Sequence, residues 1–276
     1  MRIAWITDPH LNHVSPDRWD QWCDRIASMQ PDALLITGDI SEGDDVELQL
    51  RRTAERFAVP LYFVLGNHDF YQSSIAQTRQ NVIAASRDHN ALNYLTDRGP
   101  VALADGVYLV GEDGWGDATV GNYDESFIRL NDFKLIDDFR EISDDRWKAK
   151  LQQLGADSAA RLQVKLNAVP RNATQILVAT HVPPFRESCW YEGKTTDDHW
   201  APFFVCGEVG RTLMEFCQRR VDCQTTVICG HTHHDGIATL RENLIVHTGS
   251  AVYGAPDVEA VIEVTANELH IAGHRR

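Results

Sequence analysis

Five short segments concentrate the residue types that bind transition metals: Asp8-Pro9-His10, Gly38-Asp39, Gly66-Asn67-His68-Asp69, His181 and Gly230-His231-Thr232-His233. Imidazole, carboxylate and amide oxygen suit manganese, iron, zinc, cobalt or nickel, and a carboxylate can bridge two ions through its two oxygens. Asp39, directly after Gly38, is the best placed bridge. Gly38, Gly66 and Gly230 each precede a candidate ligand, where a missing side chain lets a loop bend closely around a metal. An Asp-x-His pair in an extended segment would aim both side chains at one ion, since residues two apart face the same way. A lone Gly-Asp or Asp-x-His is more often a loop or a cap than a ligand. Joint occurrence of all five segments decides for a metal site, and the chemistry it points to is metal-assisted hydrolysis of a phosphate ester.

The elements that must position these residues are legible as apolar runs that stop where the ligand types begin. Ile3 to Ile6 leads to Asp8, Ala33 to Ile36 to Asp39, Leu61 to Leu65 to Asn67, Ile176 to Ala179 to His181, and Val227 to Cys229 to His231. Such runs separated by helical stretches predict a largely parallel sheet, whose ligands collect at the carboxyl ends of the strands. Ser15-Pro16-Asp17 starts a first crossover helix, Val46 to Phe57 a second and Ile75 to Ser86 a third. Asp105-Gly106, between Val101-Ala-Leu and Val107-Tyr-Leu-Val, predicts an antiparallel hairpin. From about Glu112 to Arg171 the chain is rich in charge and carries two expected helices, one ending before Gly155 and one from Asp157-Ser158 to Pro170. A second irregular stretch, Pro183 to Gly210, follows His181 and either covers the site or packs down beside it. Thr226 to Ile271 reads as a strand meander. The expected organisation is a single domain over residues 1–276, with peripheral insertions at about 112–171 and 183–210.

Composition narrows the function classes. The chain has 276 residues, 43% hydrophobic and 24% charged, with a formal net charge of −14. That balance argues against nucleic-acid polymers and anionic membranes as partners, while two divalent cations would add about four positive charges for a small phosphate-ester substrate. No run approaches a membrane span, and no leader sequence precedes the first strand, so a cytoplasmic location is expected. Cys23, Cys189, Cys206, Cys217, Cys223 and Cys229 form no CxxC pair and read as reduced, packed thiols. Arg129, Lys134, Arg186 and Lys194, within the two irregular stretches, either contact phosphate or face solvent.

Taken together, the five segments resemble the signature of the calcineurin-like metallophosphoesterases: Asp-x-His, Gly-Asp, Gly-Asn-His-Asp/Glu, His, Gly-His-x-His, in that order from Asp8 to His233. The resemblance implies an α/β fold, a two-sheet sandwich flanked by helices in four α/β/β/α layers. It implies that Asp8, His10, Asp39 and His233 hold a first metal, that Asp39, Asn67, His181 and His231 hold a second, and that His68 faces the substrate. The cofactors expected are therefore two divalent or mixed-valence transition-metal ions. Asp69 is read as positioning the Asn67-His68 loop, and His199, His234 and His247 as outer or surface groups. Gly249-Ser250 is similar to a family loop beside the site, or is a simple strand-ending turn. After Gly38-Asp39 the chain reads Ile-Ser-Glu-Gly-Asp, without the Asp-Arg-Gly of the protein Ser/Thr phosphatases. That departure favours a phosphodiesterase-like member and leaves the orienting partner of His68 open.

The expected mechanism is in-line attack on a phosphodiester or small phosphomonoester by a hydroxide bridging two metals about 3.5–4 Å apart. His68, with an unperturbed pKa near 6.5, would assist as an imidazolium. The alternatives are a phosphoprotein phosphatase, a non-catalytic scaffold of the same fold, and another metallohydrolase such as the metallo-β-lactamase type. The last would show a His-x-His-x-Asp-His cluster that His231-Thr232-His233-His234 does not match.

Overall fold

In the computed structural model, which describes residues 1–272, the strands alternate their apolar side chains between two layers. In chain order they are β1 (Arg2–Ile6), β2 (Ala33–Thr37), β3 (Leu61–Val64), β4 (Leu92–Tyr94), β5 (Val101–Ala104), β6 (Val107–Glu112), β7 (Gln175–Thr180), β8 (Trp190–Tyr191), β9 (Lys194–Thr195), β10 (Gln224–Cys229), β11 (Gly236–Arg241), β12 (Leu244–Thr248), β13 (Ala260–Thr265) and β14 (Glu268–Ala272). One sheet runs β14-β13-β1-β2-β3-β4 and the other β11-β12-β10-β7-β6-β5. Strands β1 to β4 are mutually parallel, as are β6, β7, β10 and β12, while β13, β14, β5 and β11 pair antiparallel toward the edges. A small β8-β9 hairpin stands apart.

The helices are α1 (Pro16–Ser28), α2 (Asp45–Phe57), α3 (Ile75–Asp88), α4 (Asp132–Leu135), α5 (Asp137–Arg140), α6 (Trp147–Ala168), α7 (Ala201–Phe204) and α8 (Gly207–Arg219). Ser15 caps α1 by accepting a bond from the Arg18 amide, with Pro16 at the first helical position. Ile3 and Trp5 of β1 pack with Leu109 and Leu177 between the sheets, whereas Ala4 and Ile6 face Trp22, Ile26 and Leu50 of the first helical layer. On the outer face of the second sheet, Val178 and Val227 meet Leu162, Leu166, Leu213 and Phe216. Period-two alternation with both faces covered produces the layer order helix, sheet, sheet, helix.

The structure departs from the sequence reading in four places. The two helices expected on either side of Gly155 are one, α6, and a Cβ at Gly155 would press on the Asp117 side chain. That glycine serves a close approach and does not end the helix. Helix α8, begun within the stretch read as irregular, has Val209, Leu213, Phe216 and Cys217 buried at helical spacing. The C-terminal strands do not form a simple meander: β10 lies parallel to both β7 and β12, and the β13-β14 hairpin crosses to the other sheet. The segment at 112–171 is not peripheral, since Trp115, Phe133, Ile136 and Phe139 are buried in the core of the first helical layer.

Candidate metal centre

Asp8, Asp39, Asn67, His181 and His231 each lie within three residues of the carboxyl end of β1, β2, β3, β7 and β10. Amide bonds stitch these ends together: Asp8 N–H to the Gly38 carbonyl at 3.1 Å, His10 to Asp39 at 3.0 Å, and Gly230 to His181 at 2.9 Å. The chain turns by left-handed backbone at Asp8 (φ 46°), His10 (φ 41°), Asp39 (φ 50°), His231 (φ 70°) and His233 (φ 58°). The Asp-x-His segment is therefore not extended, and its two side chains converge through curvature of the backbone. Left-handed residues other than glycine cost free energy and gather at functional sites; aspartate and histidine are among the types that tolerate the conformation best. A Cβ at Gly66 would overlap Asp39 Oδ1, and one at Gly230 would overlap Asp8 Oδ2.

These turns bring the side chains into two groups that could each hold an ion, with the donor atoms of each group within 4.8 Å of one another: Asp8, His10, Asp39 and His233, and Asp39, His181 and His231. Asp39 belongs to both, with Oδ2 3.7 Å from His10 Nε2 and Oδ1 3.4 Å from His181 Nε2. Asn67 joins the second group, its Oδ1 3.3 Å from His181 Nε2. His181 Nδ1 is 2.9 Å from the Thr37 carbonyl, and His231 Nε2 is 3.2 Å from that of Phe203. A carbonyl only accepts, so each of those nitrogens carries the proton. The opposite nitrogens, His181 Nε2 and His231 Nδ1, then face each other at 3.2 Å with lone pairs outward. Two lone pairs so close repel unless a cation stands between them, and spacings of this size fit metal–nitrogen bonds of roughly 2.0–2.1 Å. The donor set therefore fits two transition-metal ions.

Burial governs the protonation of His10, His68, His231 and Asp39, while the pairing of Asp8 with His233 overrides it and raises His233 above its ordinary value. Burial pushes His10 and His68 down to about 3, helped for His10 by His68 and His233 and for His68 by His181, with Asp8 opposing in both. His231 is held well below its ordinary value, again first by burial and then by His181. Burial, then the Asp8 charge, drives the Asp39 carboxyl well above the usual range, opposed by the His68 amide. Burial would also raise Asp8, but the His233 hydrogen bond and the histidine charges outweigh it and hold that carboxyl low. Neutral imidazoles are what ligation requires. The imidazolium expected for His68 is disfavoured here, because the ring has lost too much water.

His68 sits at the edge of the site, 19% exposed, its Nδ1 3.8 Å from Glu42 Oε1 and without a hydrogen bond. Glu42 is thus the carboxylate that faces the ring nitrogen, too distant for a hydrogen bond. The buried Asp69 carboxylate accepts from the Ser41 amide at 2.9 Å and the Gly66 amide at 2.8 Å, and so ties the turns after β2 and β3 together. His234, His199 and His247 belong to neither donor group. Gly249 N–H donates to the Cys229 carbonyl at 2.8 Å and the Ser250 amide to Glu259 at 3.0 Å, which fastens this turn to the end of β10. None of the four basic residues joins a donor group: Arg186 pairs with Asp198, Arg129 donates to the Ser126 and Ile128 carbonyls, and Lys134 and Lys194 are exposed. The stretch 183–210 is fastened beside the centre by the Asp117 amide to Val205 and Ala118 to Pro202, with the Phe204 ring 4.4 Å from that of His231.

One functional side chain escaped the sequence reading. Asp132 of α4 is buried and accepts from Asn67 Nδ2 at 2.9 Å and Tyr71 Oη at 2.8 Å. This fixes the Asn67 amide with its oxygen toward the second donor group. Nothing local announces Asp132, which lies 65 residues from Asn67 in sequence. Asp132→Ala is expected to lower metal affinity or turnover about 10- to 100-fold, with Asp132→Asn recovering most of it through its remaining acceptor oxygen. Unchanged metal affinity in the alanine variant would contradict that role.

The family model of the calcineurin-like phosphoesterases matches residues 1–235. The chain belongs to this family. As a calcineurin-like phosphoesterase it is a hydrolase acting on phosphoric ester bonds. A 92-residue segment, 31% of this phosphoesterase, is 37% identical to UDP-2,3-diacylglucosamine pyrophosphatase LpxG of Chlamydia trachomatis and spans only 28% of that relative. Among solved structures, a phosphopantetheinyl hydrolase of Mycobacterium tuberculosis superposes with a TM-score of 0.67 at 15% identity, over 91% of this chain and 89% of that one. A dimetal phosphatase from Danio rerio gives 0.61 at 13%, over 99% and 95%. At such identities these two establish a shared fold of two mixed sheets flanked by helices. No helix of the described residues is long and apolar enough to cross a membrane.

Proposed function

We propose that the phosphoesterase hydrolyses a phosphodiester or small phosphomonoester with two transition-metal ions, the first held by Asp8, His10, Asp39 and His233 and the second by Asp39, Asn67, His181 and His231. The observation that carries this reading is the Asp39 carboxylate, whose two oxygens face one donor group each. When bound, two such ions would supply Lewis-acid charge to phosphate oxygens and activate the attacking water. The donor set has nitrogen and oxygen but no thiolate, which supports manganese, iron, zinc, cobalt or nickel.

The protein's own groups do the rest. Carbonyls of Thr37 and Phe203 keep the lone pairs of His181 and His231 turned inward. Burial of six of the seven donors, all but the partly exposed His233, limits bulk water and strengthens the charge interactions in the site. His68, neutral at pH 7, donates a ring N–H to a phosphate oxygen as negative charge develops there. The relative named as a UDP-2,3-diacylglucosamine pyrophosphatase lends support to a doubly substituted phosphate. The six cysteines, all buried free thiols, support a reducing and hence cytoplasmic setting.

The reading is tested by assaying bis-aryl phosphate and aryl phosphate with each of the five metals, before and after chelation. Hydrolysis of the diester, lost on chelation and restored by at least one metal, is the expected outcome. Activity that survives complete metal removal would overturn it.

A further inference from the structure

Tyr253 borders the first donor group without being part of any hydrophobic core cluster. Its ring centroid lies 4.3 Å from that of His10 and 5.1 Å from that of His233, with His13 at 5.3 Å and His68 at 6.3 Å. Yet half of Tyr253 is exposed, and the adjacent Val252 is 67% exposed. Of these, the ring beside the polar centre forgoes burial energy that a bound molecule could recover.

The loop that presents them is held by its backbone. The Gly249 amide bonds the Cys229 carbonyl at 2.8 Å, Ala251 that of His233 at 3.3 Å and Ala255 that of Val252 at 3.0 Å. Gly254 takes φ 74°, a left-handed turn that any side chain would strain. Among the described residues no hydrogen bond involves the phenolic oxygen, so the hydroxyl does not fix the ring. The backbone-held loop sets the ring beside the first donor group with half of the residue open to solvent.

We propose that Tyr253 is a substrate-contacting residue whose exposed face stacks on a planar, apolar group esterified to the phosphate. The inference rests on the phosphoesterase reading, because a phosphate reaching the donor groups brings its ester substituent beside a ring 4.3 Å from His10. A ring-sized substituent would cover the Tyr253 ring, whereas a methyl group is too small to do so.

Calorimetric binding of phenylphosphonate and methylphosphonate to the metal-loaded protein separates this role from simple shielding of the histidines. Wild type is expected to bind the phenyl compound about 3- to 10-fold tighter, the range of an aromatic pair. Tyr253→Ala should bring that ratio near unity without loss of metal, and Tyr253→Phe should retain it. A ratio near unity in wild type, a ratio that survives in Tyr253→Ala, or equal weakening of both ligands would overturn the proposal. Failure of the phosphoesterase reading is distinct: the protein would bind phosphonates and hydrolyse no phosphate ester.

Discussion

Asp39→Ala is expected to empty both metal positions and to lower kcat/KM by at least about a hundredfold, the upper end of what even an outer partner of a ligand is worth. Among the described residues no other carboxylate belongs to both groups: Oδ1 faces His181 and Oδ2 faces His10. Its Oδ1 also accepts from the His68 amide at 2.9 Å, so the variant also loosens the turn that carries Asn67. His68→Ala is the control, expected to slow turnover with metal content retained, since its ring lies outside both donor groups. Elemental analysis beside kinetics reads both. An Asp39→Ala protein with two ions and normal turnover would contradict the assignment.

The largest stability effect is expected at Asp113, just beyond β6. Its fully buried carboxylate accepts from the Leu65 amide at 2.8 Å, Tyr94 Oη at 2.6 Å, Thr96 Oγ1 at 2.7 Å and Arg79 Nη2 at 2.9 Å. Asp113→Ala leaves the partly buried Arg79 guanidinium without its ion-pair partner and three donors without their acceptor, a loss of about 3–5 kcal/mol. At roughly 2 °C per kcal/mol for a chain of this size, Tm should fall by about 6–10 °C in a calorimetric scan. Burial alone would raise this carboxyl, but Arg79 and the three hydrogen bonds outweigh it and hold it below the usual value. A depressed native pKa stabilises the fold above the unfolded value of about 3.9, and that stabilisation fades as pH falls toward the native value. The wild-type stability curve should therefore decline more steeply below about pH 4 than that of Asp113→Asn. Parallel acid limbs would exclude an ionised Asp113 in the native state.

How far the site was legible follows from what kind of contact builds it. Strand ends carry their signal locally, as an apolar run followed by Gly-Asp or Gly-Asn-His, so the five segments could be read in order, while the two-sheet layering came only with the family resemblance they carry. The Asn67 to Asp132 bond and the Phe203 carbonyl that orients His231 are contacts between distant segments, and a backbone carbonyl has no residue type to announce it. Extended geometry for Asp8 to His10 was a misreading of backbone, because both residues take left-handed angles that their types merely permit. Gly155 shows the converse error: the residue looked like a helix stop, and its reason is the Asp117 side chain against α6. His68 was assigned a charge from its solution pKa, whereas burial, which the sequence does not display, pushes that pKa down to about 3.

Titrating metal-free protein with Mn²⁺ while following bis-aryl phosphate hydrolysis tests the central claim most directly. A shared Asp39 between two donor groups predicts a rate that rises to a plateau at two equivalents per chain. Saturation of both positions with no hydrolysis, or a plateau at one equivalent, would contradict a dinuclear phosphoesterase centre.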